Sequence, residues 1–380
     1  MSETILKVEN LRKIFPVKAS AFSNKKLMLK AVDGVSFELK KGETLGLVGE
    51  SGCGKTTVGR TLLRLYESDG GRVYLDPEEL DITEIEKLDK KILGLEKELD
   101  KVLITRPERF KEISKNLKKE IKDLRKVADD KARDKDFLVM DRETLKKSRK
   151  RVQMVFQDPW ASLNPRMLVK DIISEGVREF GMMKGDEVDD LVANLLKKVG
   201  LPQAAAHRYP HEFSGGQRQR ICIARALSVN PEVIVCDEPV SALDVSIQAQ
   251  VLNLLIELQE EFGLTFIFIA HDLSVVQYIS DRVAVMYLGK MVEMADSEVL
   301  YDSPRHPYTR SLLDSVPVAD PELDNTIIPL EGDVPSPVNP PSGCYFHPRC
   351  KYKTSVCMSE APDLKEHETG RIYACHNPLK

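Results

Sequence analysis

The sequence predicts an α/β fold in which a buried parallel sheet carries a phosphate-binding loop. Two continuous apolar runs, at 233–236 and 265–269, are typical of parallel strands that are covered on both faces. Helically spaced apolar residues at 216–228 and 246–262 separate these strands. A third strand, at 44–48, leads directly into a glycine-rich loop that is followed by helical spacing. Strand, loop and helix in this order indicate a nucleotide-binding domain.

The glycine-rich loop fits the pattern G-x-x-x-x-G-K-[ST] at each position. Its residues are Gly49, Glu50, Ser51, Gly52, Cys53, Gly54, Lys55 and Thr56, and Thr57 follows. Such a loop points backbone N–H groups at phosphate oxygens, and the helix after it adds partial positive charge. Lys55 would bind the β- and γ-phosphates, and the Thr56 hydroxyl would ligate Mg²⁺. The sequence therefore predicts a site for ATP and Mg²⁺.

Composition limits the alternatives. The 380 residues are 42% hydrophobic and 31% charged, which allows one large domain with appendages or two domains. The formal net charge of -4 gives no reason to expect a nucleic-acid partner. No apolar run approaches the roughly 18 residues of a membrane span, and residues 1–4 do not begin a secretory signal. We expect a protein that stays on the inner side of the membrane, with its seven cysteines reduced or bound to metal.

Two segments before and after the loop are expected to be antiparallel strands. Residues 5–48 alternate apolar and polar side chains, except for a polar stretch at 18–30 that we interpret as a loop. Residues 70–82 predict a further strand after a tight turn at Gly70-Gly71.

Residues 85–145 differ from the rest of the chain. Their apolar positions recur at intervals of three and four, with an interruption at Pro107. This spacing predicts two helices that pack along one seam, with a turn at 105–107. Because most of the other side chains are charged and basic ones predominate, the two helices are expected to project from the globule as a hairpin.

The core is expected to resume at residue 151. A strand at 151–156 and helices across 168–200 precede the buried strands. A pair of short strands at 283–294, with a turn at 288–290, follows them.

Two carboxylates end the buried strand at 233–236. In a phosphate-loop fold the carboxyl ends of the strands face the nucleotide, so Asp237 and Glu238 are expected at the site. Asp237 would hold Mg²⁺, and Glu238 would polarise the attacking water.

A second phosphate cradle is predicted at Ser214-Gly215-Gly216-Gln217, which lies at the start of a helix. One triphosphate does not need two such cradles from one subunit. We therefore expect this one to reach the ATP that is held by a partner subunit.

These residues resemble the signature of the ABC-transporter ATPases, in which two nucleotide-binding domains enclose ATP head to tail. Other motifs of that family follow in order: Gln157 resembles the Q-loop glutamine, 241–244 with Asp244 resembles the D-loop, and His271 resembles the switch histidine. Phe15 stands where the family has an aromatic residue that stacks on adenine. By this resemblance Lys55, Gln157, Glu238 and His271 serve hydrolysis, and Gln157 joins Thr56 and Asp237 around Mg²⁺.

The resemblance implies an ABC ATPase domain at 1–310, with a RecA-like sheet, a helical signature subdomain and an antiparallel β subdomain. The segment 85–145 is then an inserted hairpin, and 311–380 is a C-terminal extension. Three segments, at 157–167, 209–213 and 306–309, look like those of the ATPases of oligopeptide and dipeptide importers. Related machinery moves nickel or oligosaccharides, so these substrates stay open.

Partners and location also follow from the resemblance. It implies a second ATPase subunit, which is a paralogous chain or a second copy, together with two transmembrane permease subunits and, indirectly, an extracytoplasmic substrate-binding protein. It places the chain at the cytoplasmic face of the cell membrane. The alternative of another class is a soluble ABC-type ATPase that acts on DNA or ribosomes, with the helical hairpin as its arm.

Four cysteines lie in the proline-flanked C-terminal tail. They are Cys344, Cys350, Cys357 and Cys375. A module this small needs a staple, and four thiolates suit either zinc or an iron–sulfur cluster. The tail resembles the one that carries a [4Fe-4S] cluster in peptide-importer ATPases, which favours the cluster and leaves Zn²⁺ as the alternative.

Overall fold

The computed structural model describes residues 3–18, 26–105, 110–315, 332–368 and 370–380. Its strands are β1 Thr4–Lys18, β2 Lys26–Lys40, β3 Thr44–Val48, β4 Gly70–Leu75, β5 Val152–Val155, β6 Val233–Asp237, β7 Thr265–Ile269, β8 Arg282–Tyr287, β9 Lys290–Asp296, β10 Lys365–Glu368 and β11 Arg371–Tyr373.

The helices begin after β3, and most of them lie between strands. They are α1 Lys55–Leu62, α2 Thr83–Thr105, α3 Phe110–Ala132, α4 Arg142–Arg149, α5 Pro159–Ser162, α6 Val169–Glu179, α7 Asp186–Lys198, α8 Gly215–Leu227, α9 Val245–Phe262, α10 Leu273–Ile279, α11 Ser297–Asp302, α12 Pro307–Leu313 and α13 Ser355–Ser359. No helix in the described ranges is long and apolar enough to cross a membrane.

The central sheet has the order β10-β11-β9-β8-β3-β7-β6-β5. The five strands from β8 to β5 run parallel, and β9, β11 and β10 extend the sheet antiparallel at one edge. Strands β3, β6 and β7 are buried along their whole length, as their continuous apolar sequences predict. Their carboxyl ends lie along one edge of the sheet, where β3 leads into the glycine-rich loop.

The N-terminal strands form a separate antiparallel sheet with β4, in the order β2-β1-β4. The interpretation of 18–30 as a loop is wrong for 26–30, because Lys18 pairs with Lys26 and the ladder continues from there. A strand forms here because successive side chains point to opposite faces of the sheet. Leu27 and Leu29 are half-buried, and Met28 between them is exposed. Residues 19–25 lie outside the described ranges.

The strand predicted at 70–82 is shorter in the structure and ends at Leu75. Asp76 has a φ of 48°, which takes the chain out of the extended conformation. Pro77 then begins a short 3₁₀ turn over Pro77–Glu79, which is followed by α2. A proline at this first position fixes the turn and cannot continue a strand ladder.

Helices α2 and α3 pack against each other through the apolar positions that repeat every three to four residues. The buried side chains of this contact are Ile92, Ile121 and Ala128, and the partly buried ones are Leu88, Leu95, Leu99 and Leu124. The turn expected at 105–107 lies outside the described residues except for Thr105.

A buried arginine ties this helix pair to the antiparallel sheet. Arg72 of β4 donates to Asp89 of α2 (2.9 Å), Asp129 of α3 (2.6 Å) and Asp136 (3.2 Å). Asp136 is fully buried and also accepts from the backbone N–H of Val73 at 2.9 Å. The base of the two helices is thereby fixed to β4.

Candidate functional site

The glycine-rich loop adopts a conformation that only glycine tolerates at two of its positions. Gly49 has a φ of 148° and Gly54 a φ of 109°. A Cβ at Gly49 would lie 2.2 Å from the Met286 carbonyl oxygen, and one at Gly54 would lie 2.1 Å from the Ala31 carbonyl oxygen. The loop can therefore hold this shape against its neighbours only with these glycines.

Lys55 is buried inside the loop that it follows. Its Nζ donates to the Gly49 carbonyl at 2.7 Å and to the Glu50 carbonyl at 3.2 Å. Lys55 also begins α1, whose N-terminus carries partial positive charge. The loop therefore concentrates positive charge at one point, as phosphate binding requires.

Thr56 and Asp237 meet at the carboxyl end of β6. The Thr56 hydroxyl donates to Asp237 Oδ1 at 2.7 Å. The second carboxylate oxygen, Oδ2, is buried and has no hydrogen-bond partner among the described residues, although Arg60 Nη2 lies 3.9 Å from it as an ion-pair partner. Burial raises the pKa of the Asp237 carboxyl, because the charged form loses its hydration. A hydroxyl beside a buried carboxylate, one oxygen of which accepts no hydrogen bond, fits a Mg²⁺ site.

Glu238 follows Asp237 in a strained backbone conformation. Its φ of 47° lies in the left-handed region, which costs a non-glycine residue about 1 kcal/mol or more. Gln157 Nε2 donates to Glu238 Oε2 at 2.8 Å, and His271 Nδ1 lies 3.4 Å from the same oxygen. The structure therefore brings together three residues from three different loops that the sequence predicted for one site.

The predicted second cradle lies elsewhere on the chain. Ser214 caps α8, with its hydroxyl accepting from the Gln217 N–H and the Gln217 side chain accepting from the Ser214 N–H. A Cβ on Gly216 would lie 2.5 Å from Ile247, so this helix start packs beside the D-loop segment, where Asp244 caps α9. Within the described residues no hydrogen bond or ion pair joins 214–217 to 49–56.

Two other predicted residues make no contact that defines a role at the loop. Phe15 is half-buried on β1, and its ring meets the Tyr66 ring edge-on at 5.4 Å. Thr57 is half-buried on α1, and its carbonyl accepts from the Thr61 hydroxyl at 2.7 Å.

The four C-terminal cysteines all line one small cavity of about 10 Å³. Burial, with smaller contributions from the other three thiols, raises the pKa of Cys375 to about 12. The other cysteines of the chain, Cys53, Cys222 and Cys236, are buried in the core. Across the described ranges no group of three or more histidine, cysteine or acidic side chains is placed to hold a metal ion. The thiols are thus gathered but not arranged as a ligand set.

Two side chains that the sequence analysis did not assign also touch the loop. The Tyr308 hydroxyl accepts from the Glu50 N–H at 3.0 Å, and Arg349 pairs with the Glu50 carboxylate at 2.8 Å. Tyr308 lies in the segment 306–309, which resembles the ATPases of oligopeptide and dipeptide importers. Nothing local in the sequence indicates the role of Arg349, because the contact spans 299 positions.

Comparison with known proteins identifies the family. A family model described as "ABC transporter" matches residues 32–139 and 129–241, and one described as "Oligopeptide/dipeptide transporter, C-terminal region" matches residues 292–357. The chain is 47% identical to the oligopeptide transport ATP-binding protein AppF of Bacillus subtilis (strain 168), over 98% of this chain and 97% of that protein. The chain belongs to the ABC transporter ATP-binding proteins.

Two further comparisons agree with this membership. The dipeptide transport ATP-binding protein DppF of Haemophilus influenzae (strain ATCC 51907 / DSM 11121 / KW20 / Rd) is 41% identical over 98% of this chain and 96% of its own length. The dimeric structure of MJ0796, a bacterial ABC transporter cassette, has a TM-score of 0.55 and 23% identity, covering 77% of this chain and 99% of that chain. The structural likeness supports the ABC ATPase fold with its mixed sheet and helices.

Proposed function

We propose that this chain is the ATP-hydrolysing subunit that powers an ABC importer for oligopeptides or dipeptides. The observation that carries the proposal is one site in which the phosphate loop, the Thr56–Asp237 contact and the Glu238 contacts with Gln157 and His271 occur together. The printed names of the relatives, oligopeptide and dipeptide transport proteins, favour peptides over nickel or oligosaccharides. They likewise give no support to action on DNA or ribosomes.

Each residue of the site has a defined task in this proposal. Lys55 binds the β- and γ-phosphates, and the loop N–H groups bind the remaining phosphate oxygens. Thr56 and Asp237, together with Gln157, would hold Mg²⁺, which would neutralise charge on the phosphates. Glu238 accepts a proton from the attacking water, and its strained backbone keeps the carboxylate aimed into the site. His271 and Gln157 contact the γ-phosphate end, and Phe15 stacks on adenine.

The complete site needs a second chain. Ser214 to Gln217 would bind the γ-phosphate held by a partner ATPase subunit, with Asp244 at the same interface. The similar cassette is described as dimeric, which supports this arrangement for the present chain. The partner is a paralogous ATPase subunit or a second copy. ATP closes the two chains, and hydrolysis separates them because the γ-phosphate contacts are lost.

Closure must be transmitted to the transported solute. The chain would lie peripherally at the cytoplasmic face of the cell membrane against two permease subunits, with a substrate-binding protein acting from the other side. The surface that follows Gln157 would receive the permease, because Gln157 contacts the catalytic Glu238 and so reports the nucleotide state.

The domain plan of the proposal divides the chain into three parts. The ATPase domain spans 1–310, the helical hairpin 85–145 is inserted in it, and 311–380 is a C-terminal extension. The mutual packing of α2 and α3 and their attachment through Arg72 support the hairpin as an appendage of the antiparallel sheet.

The C-terminal cysteines are proposed to hold a [4Fe-4S] cluster, with Zn²⁺ as the alternative. Their convergence on one cavity supports a metal site, although some side-chain rearrangement would be needed to bring the thiols together as ligands. The purified protein should contain about four iron and four acid-labile sulfides per chain. Zinc without sulfide would contradict the cluster, and the absence of both would contradict a metal site.

The function is tested by coupling hydrolysis to transport. The chain, assembled in proteoliposomes with its permease and its second ATPase subunit, should import labelled di- to oligopeptides in an ATP-dependent manner. A Lys55→Ala substitution should abolish both nucleotide binding and import, because the phosphate charge loses its partner. The proposed substrate would be contradicted if nickel or an oligosaccharide stimulated ATP hydrolysis and peptides did not.

A further inference from the structure

The segment between two of the C-terminal cysteines contacts the phosphate loop at Glu50. This segment, residues 344–350, contains Tyr345, Phe346 and Arg349 between Cys344 and Cys350. Each of the three side chains contacts the ATPase core. One of them, Arg349, contacts Glu50, the first variable residue of the phosphate loop.

Arg349 makes the most specific of these contacts. Its Nη1 donates to Glu50 Oε2 at 2.8 Å, and its Nη2 donates to Oε1 at 3.0 Å. The arginine side chain is only 4% exposed, so this two-point ion pair is shielded from water. Burial lowers the pKa of Arg349, but the contacts with Glu50 and Tyr287 raise it by more, so the guanidinium stays charged. Shielded two-point pairs of this kind fix geometry as well as charge.

An aromatic cluster holds the segment in register beside Glu50. Phe346 is 2% exposed, and its ring centroid lies 5.4 Å from that of Tyr287 and 5.3 Å from that of Tyr308. Tyr308 in turn accepts from the Glu50 N–H at 3.0 Å. Tyr345 donates to Asp33 of β2 at 3.1 Å. Glu50 is therefore held at its side chain by the C-terminal segment and at its backbone by α12.

Glu50 also contacts Lys55, which serves both the loop and the nucleotide. In the structure the Lys55 ammonium donates to the carbonyls of Gly49 and Glu50. Because these contacts use two of its three donors, a bound phosphate shares the ammonium with the loop. Independently of Lys55, Glu50 is held by Arg349, by Tyr308 and by the Cys53 N–H, which donates to the Glu50 carbonyl at 3.2 Å.

We propose that Arg349 is a positioning residue for the phosphate loop, and that it links nucleotide binding to the four-cysteine module. The inference rests on the proposed function, since it assumes that Lys55 binds ATP. Arg349 does not touch the nucleotide; it keeps Glu50 in place while Lys55 binds the phosphates. The coupling acts in both directions: if residues 344–350 favour the loop geometry that binds nucleotide, bound nucleotide also stabilises residues 344–350.

The test is a double-mutant cycle on ATP affinity, measured without Mg²⁺ by fluorescence titration of the full chain. Arg349→Gln and Glu50→Gln should each weaken ATP binding about tenfold, which corresponds to about 1.4 kcal/mol. The double variant should be no weaker than either single variant, because the two residues act through one contact. Additive losses, or unchanged affinity in Arg349→Gln, would overturn the proposal.

Two further variants separate positioning from general damage. Tyr308→Phe removes only the hydroxyl that accepts from Glu50 and should weaken ATP binding in the same direction. Arg151→Gln breaks another two-point pair, Arg151 with Glu232, together with the ion pair between Arg151 and Asp76, at the opposite end of the parallel strands. It should leave ATP affinity within about twofold of the wild type, at a comparable change in melting temperature. An equal loss in Arg151→Gln would assign the effect to stability and overturn the positioning role.

Reciprocity gives an independent readout. Hydrogen exchange of residues 344–350, followed by mass spectrometry, should slow when ATP is added to the wild type but not to Glu50→Gln. Unchanged exchange in the wild type would overturn the link to the cysteine module. Failure of the wild type to bind ATP at all would instead contradict the proposed function, so the two failures are distinguishable.

Discussion

At the scale of single residues, Asp237 shows how the site is prepared for a cation. One carboxylate oxygen accepts from the Thr56 hydroxyl, and the other is buried without a hydrogen bond among the described residues, with Arg60 Nη2 at 3.9 Å. A buried oxygen that accepts no hydrogen bond is costly unless a ligand completes its coordination. The proposed Mg²⁺ would supply that coordination beside the Thr56 hydroxyl.

Thr56→Ala should lower Mg²⁺-dependent ATP hydrolysis at least tenfold, because the cation loses a hydroxyl ligand. ATP binding without Mg²⁺ should change by less than about threefold, since Lys55 and the loop remain. The matched control is Thr61→Ala, one turn further along α1, where the hydroxyl only donates to the Thr57 carbonyl. Equal Mg²⁺ dependence in both variants would contradict the assignment of Thr56.

At the scale of elements, the attachment of α2 and α3 to β4 involves the buried carboxyl of Asp136. Burial raises the pKa of Asp136 to about 6, against the attraction of Arg72 and the backbone N–H groups of Val73 and Leu138. The folded protein therefore binds a proton there at a pH where the unfolded chain, with a pKa of about 3.9, has lost it. Protonation of Asp136 contributes fully to the free energy of unfolding below about pH 4, and this contribution is lost as the pH rises through about 6.

Asp136→Asn should abolish this part of the pH dependence, because the amide does not ionise. Relative to the wild type, the variant should gain roughly 2 to 3 kcal/mol of unfolding free energy between pH 4 and pH 7.5. Urea unfolding at several pH values measures the difference. The control Asp134→Asn changes an exposed aspartate nearby and should follow the wild type. Parallel profiles for Asp136→Asn and the wild type would contradict the proposed ionisation.

Helix α8 offers a prediction that separates structure from function. Ser214→Ala removes the cap of this helix and should cost about 1 kcal/mol of stability. Ser214→Asp keeps a capping oxygen and should restore the melting temperature. Its negative charge should still prevent ATP-dependent association, because it would face the γ-phosphate of the partner. Normal association of Ser214→Asp would exclude a role for Ser214 in phosphate binding.

The elements that could be predicted are those whose signal is local. The phosphate loop is one contiguous motif, and β3, β6 and β7 are continuous apolar runs, so each is specified by its own residues. The family resemblance then identified Gln157 and His271, which the structure places at Glu238.

What could not be predicted depends on contacts between distant parts of the chain. The Arg72–Asp136 pair and the Arg349–Glu50 pair are made only when separate elements pack together. The positive φ of Glu238 is imposed by its surroundings, since glutamate has no preference for that conformation. The extension of β2 back to Lys26 follows from its pairing with Lys18, because Leu27, Met28 and Leu29 show no apolar–polar alternation in the sequence.

At the scale of the whole molecule, no hydrogen bond or ion pair in the described part of the chain joins the two proposed parts of the ATP site. Lys55, Thr56, Asp237 and Glu238 lie at the carboxyl ends of the parallel strands, and Ser214 begins a helix that packs beside α9 instead. In the proposed function one hydrolysis event therefore needs two chains, which ATP joins.

The most direct test is the mass of the Glu238→Gln chain in sedimentation, with and without ATP. The substitution keeps the size of the side chain but removes the base, so ATP should persist and hold two chains together. We expect a dimer only with ATP, either of this chain alone or with a second ATPase subunit of its transporter, and none when Ser214→Asp is added. An unchanged monomer mass in both mixtures, with ATP demonstrably bound, would contradict the account.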